Sequence, residues 1–131
     1  FPKTYTCGGA GMVSSLDDYM KFAQMLLQNG TYCGTKILSQ NSIELMRTPN
    51  LPEDTTHINE VWGLGVRVNK NLFYKRLPEG VFGWSGAYGT HFWIDTQNNI
   101  AAVYMKNSLF DGGSGNESAR NLEKAVWESL I

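Results

Sequence analysis

The chain has 131 residues, 42% hydrophobic and 18% charged, enough for one globular domain with a modest core. Its 11 basic and 12 acidic residues leave a net charge of -1, which gives no footprint for nucleic acid or an anionic membrane surface. No apolar run reaches the length of a membrane span. The sequence opens on Phe1-Pro2 rather than Met, so an upstream portion is expected to be missing, and the compartment, extracytoplasmic or cytoplasmic, stays open. Cys7 and Cys33 are too few for a disulfide scaffold; two unpaired thiols are one reading and a single bridge the other. His57 and His91 have no His or Cys at ligand spacing, so neither a metal nor a cofactor is expected.

Residues 15 to 28, SLDDYMKFAQMLLQ, read as a helix. Leu16, Tyr19, Met20, Ala23, Leu26 and Leu27 recur at three and four as one apolar stripe. Ser15 is a good N-cap, Asp18 stands where a capping box puts its acid, and Asn29-Gly30 supplies a left-handed stop. A second helix follows Ser39, with Ile43 and Met46 inward and Pro49 forbidding its continuation. Residues 49 to 60, PNLPEDTTHINE, read as a linker or surface loop. Beyond it the apolar period changes to two.

VWGLGVRV (61 to 68) reads as one strand, loosely alternating around two glycines. THFWID (90 to 95) and NIAAVYMK (99 to 106) read as a hairpin around the turn sequence TQNN. After a glycine-rich connection, Ser114 and Glu117 make an S-x-x-E capping box. The final helix then puts Ala119, Leu122, Val126 and Leu130 on one face. Short connections make the sheet antiparallel, and the whole is α+β, with the C-terminal helix covering one face of the sheet.

GWSGAYG, 83 to 89, puts three glycines at the start of a strand, where they weaken it. Three readings stand: a bulge or bend, close packing against another element, or a strand edge that binds an extended ligand and points backbone N–H groups at a reacting carbonyl. Ser85 reads either as a solvated strand residue or as a hydrogen-bond partner for that ligand.

The wider pattern favours one family. GGAGMVSSLDDYMKFAQMLLQNG, GTKILSQNSIELM, WGLGV and FGWSGAYGTHFWIDTQNNIAAVYMKN, in that order, resemble the C-terminal part of the serine β-lactamase-like hydrolases. These are the class C β-lactamases, the penicillin-binding D-Ala-D-Ala carboxypeptidases and related bacterial esterases. The resemblance covers nearly the whole chain. It implies a partial β-lactamase/transpeptidase-like fold, with 1–58 closing the family's helical domain and 59–131 returning to its α/β domain.

It implies acyl transfer through a serine nucleophile on β-lactam, peptide or ester substrates. Trp84-Ser85-Gly86 matches the tryptophan variant of the family's K-T-G motif, so these three residues would line the substrate. The N–H of Ala87 would be one of two oxyanion-hole donors. Trp84 in place of a cation offers an apolar, stacking surface and leans toward esters or amides rather than efficient β-lactam hydrolysis. The family's S-x-x-K and Y-x-N motifs occur nowhere in this sequence, so the nucleophile and base are not in this chain. The chain alone would then be inactive, one wall of a site. The alternative is a piece of a non-catalytic binding or sensor protein with the same fold. Without neighbours, the last strand is expected to leave an apolar edge through which copies self-associate.

Overall fold

The computed structural model describes residues 8–9, 11–50, 60–70, 77–113 and 116–130. Helix α1 is Leu16–Leu27. Ser15 Oγ accepts from the Asp18 N–H at 3.2 Å and donates to the Asp18 carboxylate at 3.1 Å, so the expected cap forms. At the other end Asn29 (φ 51°) and Gly30 (φ 93°) both turn left-handed. Their N–H groups then reach Leu26 O at 3.2 Å and Met25 O at 2.9 Å, occupying the last helical carbonyls. Ala23 and Leu26 are buried as the stripe predicts. Leu16 is exposed, and Met25, off the stripe, is buried, because α1 is covered both by the large sheet and by the hairpin that follows it.

That hairpin, β1 (Thr31–Tyr32) with β2 (Thr35–Lys36), was not expected. It turns on Cys33 (φ 47°) and Gly34 (φ 76°), the left-handed pair of a type I′ turn. Cysteine stood where Asn or Asp usually signals such a turn. Cys33 is a free, exposed thiol, and Cys7 lies outside the described residues. Helix α2, Gln40–Arg47, has Ser39 as its cap and Ile43 buried, and it ends before Pro49, as read.

Five strands form one antiparallel sheet in sequence order: β3 (Glu60–Trp62), β4 (Arg67–Asn69), β5 (Phe82–Ser85), β6 (His91–Asp95) and β7 (Ile100–Tyr104). The run 61 to 68 is therefore not one strand. It folds back on itself with Trp62 opposite Arg67, and its two glycines, spaced by one residue, lie in the turn rather than in a strand. The β6–β7 hairpin is as expected. Asp95 shapes its turn by accepting from the N–H groups of Gln97 (3.0 Å) and Asn98 (3.1 Å).

Val61, Val68, Phe82, Phe92 and Ile94 of the sheet share one cluster with Ala23, Met25 and Leu26 of α1 and Ile43 of α2. On the other face Leu77, Val81 and Trp93 meet Leu122 and Val126 of helix α3, Glu117–Glu128. The arrangement is three-layered, and β6 is buried on both sides. Phe82, Trp93 and Ile94 are each at most 2% exposed. Burial of each such side chain contributes about 1.5–3 kcal/mol.

The expected boundary at 58/59 falls within 51–59, outside the described residues, while α1 and α2 pack directly on the sheet. The cap of α3 is Asn116, whose side-chain oxygen accepts from the Ala119 N–H at 2.9 Å. Ser114, read as that cap, lies outside the described residues.

Candidate active-site wall

β5 carries Phe82-Gly83-Trp84-Ser85 into a turn over 86–90 that returns as β6. The glycines here permit close approach of chain to chain. A Cβ on Gly83 would lie 2.0 Å from Phe92 O, and one on Gly86 would lie 2.3 Å from Thr90 Oγ1. Gly86 donates to Thr90 O at 2.7 Å, and its own carbonyl accepts from Gly89 N–H (3.0 Å) and Gly113 N–H (2.9 Å). Gly89 closes the turn at φ 92°, a conformation that excludes a side chain without strain.

A loop braces this turn from outside. Ser108 N–H donates to Tyr88 O at 2.8 Å, and Gly112 lies so near Ala87 O that a Cβ would stand 1.9 Å from it. The loop is fastened by a polar knot: Lys106 Nζ pairs with the Asp111 carboxylate and donates to Ser118 Oγ at 3.0 Å, and Asp111 accepts from the Glu117 N–H at 2.9 Å. Lys106 first, then the Ser118 hydroxyl, holds the Asp111 carboxyl down at about 2.

Three features face outward on or beside the turn. Trp84 is 38% exposed, its ring tilted against Trp62 with centroids 4.7 Å apart. Tyr88 is exposed. Ala87 is exposed too, and among the described residues its N–H makes no hydrogen bond.

Ser85 points the other way, since strand alternation sets it on the face covered by α3. It is 4% exposed, and its Oγ lies 2.8 Å from His91 Nδ1. His91 Nε2 is 2.9 Å from Glu123 Oε1, and Arg67 Nη2 donates to that same oxygen at 3.1 Å. Ser85 is thus not a solvated strand residue, and toward the exposed face it offers backbone alone. His91 does not stand alone either. Sequence reasoning missed this array, although two signals were present: Glu123 interrupts the apolar face of α3, and Arg67 interrupts a valine run.

Among the described residues, no helix is long and apolar enough to cross a membrane. A cavity of about 400 Å³ lies at the opposite end of the sheet, lined among others by Arg47, Val68, Glu79 and Thr96.

The layered antiparallel sheet with its covering C-terminal helix is shared with solved hydrolase and β-lactamase-like structures. The Beta-lactamase family model matches residues 1–126, and the chain belongs to that family. Protein Rv1367c of Mycobacterium tuberculosis is 30% identical over 118 residues, which cover 79% of this chain and 29% of that protein. Esterase EstB of Burkholderia gladioli is 24% identical over 118 residues, 87% of this chain and 29% of the esterase. The solved structure of EstCE1, described as a hydrolase with promiscuous acyltransferase activity, superposes with a TM-score of 0.73 at 27% identity, over 93% of this chain and 31% of that one. The chain spans less than a third of the length of each.

Proposed function

We propose that this chain supplies one wall of the acyl-transfer site of a serine hydrolase acting on β-lactam, D-Ala-D-Ala peptide or ester substrates. The observation that carries this reading is the N–H of the exposed residue Ala87, which has no hydrogen-bond partner among the described residues and lies on a turn braced by backbone bonds. Such a fixed donor suits an oxyanion better than a ground-state carbonyl, because its orientation is set before charge develops. Trp84 would pack on an apolar part of the substrate, and Ser85 and Gly86 would contribute backbone alongside it. The serine nucleophile and its base would come from the remainder of a longer protein, with 1–58 and 59–131 belonging to its helical and α/β domains.

Two measurements test this. The chain alone, mixed with an activated ester or a β-lactam, gives no burst and no covalent adduct, whereas the intact parent is acylated stoichiometrically. In that parent, Ala87→Pro removes the N–H and lowers kcat about 10²–10³-fold. Unchanged turnover per folded molecule would refute the oxyanion role, and a parent that is never acylated would favour the binding-protein alternative.

We also infer that the isolated chain self-associates through β7, which pairs only with β6 among the described residues and carries no charge from Ile100 to Tyr104. Light scattering across a concentration series reads this as a rising mass; a strictly monomeric mass at high micromolar concentration would exclude it.

A further inference from the structure

Ser85, His91, Glu123 and Arg67 are all buried, and they stand in line behind the proposed wall. A serine, a histidine and a carboxylate in sequence are the members of a nucleophilic triad. Here the hydroxyl is sealed under α3, where no acyl carbon can approach it. Arg67 donates to Glu123 Oε1, with His91 Nε2 2.9 Å from the same oxygen, while His91 Nδ1 lies 2.8 Å from Ser85 Oγ and 3.1 Å from Trp84 O, so that an Nδ1–H would serve the Trp84 carbonyl and a bare Nδ1 the Ser85 hydroxyl.

We infer that Glu123, His91 and Ser85 are positioning residues that fix the end of β5 and, through Gly86, the direction of the Ala87 N–H. This rests on the oxyanion role proposed above for Ala87. Ser85↔His91 is the last register pair before the turn, where a ladder would otherwise fray. Gly86 beyond it has no side chain with which to anchor the strand. A directional bond chain ending on a carboxylate supplies that anchor, and it links α3 to the wall.

Amide hydrogen exchange on the 131-residue chain tests the anchoring. Glu123→Gln then speeds amide exchange at Gly86 and Gly89, the N–H groups that close the turn, by roughly tenfold, the scale of one lost charge-assisted hydrogen bond. Exchange in α1 and β7 stays the same. Ser85→Ala gives the same local loss by a lighter change should Glu123→Gln fail to fold, and Ser85→Thr restores protection. A fluorophosphonate probe leaves Ser85 unmodified. Labelling of Ser85, or a uniform loss of protection across the sheet, would overturn the proposal. Turnover unaffected by Ala87→Pro, with these exchange results intact, would instead remove only the oxyanion role.

Discussion

The two faces of the sheet bury comparable strands by different means. Toward α1 and α2 the buried contacts are mainly apolar, with the Arg47–Thr96 hydrogen bond (3.1 Å) at one end of the sheet. Toward α3, Trp93, Leu122 and Val126 pack beside an ion pair, a histidine and a serine. The apolar face needs only volume and pattern, whereas the polar face works only if each donor meets its acceptor.

The comparison is most sharply tested by truncation. Phe82→Ala, on the apolar face, should cost about 3–5 kcal/mol in chemical denaturation. Glu123→Ala, on the polar face, should cost about 3 kcal/mol, because Arg67 and His91 stay buried without their carboxylate. Replacing Arg67, His91 and Glu123 together by apolar residues of similar volume should recover most of that loss. If the triple variant were no more stable than Glu123→Ala, the polar face would be contributing packing rather than direction.

Gly86→Ala should cost about 1–3 kcal/mol by overpacking against Thr90 Oγ1, and Thr90→Ala in the same chain should relieve it. Absence of that rescue in thermal melts would mean that the glycine is required by something other than Thr90.

The smallest effect lies in the bracing loop. The Asp111 carboxyl titrates at about 2 in the folded chain, below its ordinary value. Its contribution is therefore present above about pH 4 and is lost as pH falls toward 2. Asp111→Asn should flatten that acid limb of the stability profile, and an unchanged limb would assign it to other carboxylates.

Local chemistry was readable wherever it is written in neighbouring residues. Ser15, Ser39 and the Asn29-Gly30 stop behave as their types demand, and so does the TQNN hairpin. The antiparallel sheet and its covering C-terminal helix were legible from period and spacing, and the family from motif order. What escaped depends on pairing across distance. Gly63 and Gly65 looked like flaws in one strand because only the register shows that the chain reverses there. Ser85, His91 and Glu123 are separated by up to 38 positions, and a single sequence carries no sign of which buried polar groups will meet. The glycines of GWSGAYG were recognisable as close-approach residues, but their neighbours proved to be the protein's own chain.

The sheet is a simple meander, each strand bonded to the next in sequence. Loop closure between such neighbours is cheap in entropy, so the strands can zip hairpin by hairpin. The β6–β7 hairpin closes over a short turn shaped by Asp95, whereas α1 meets β7 across a long stretch of sequence. A layout of this kind confines most of the sheet's pairing to consecutive segments, so little loop-closure entropy separates one strand pair from the next.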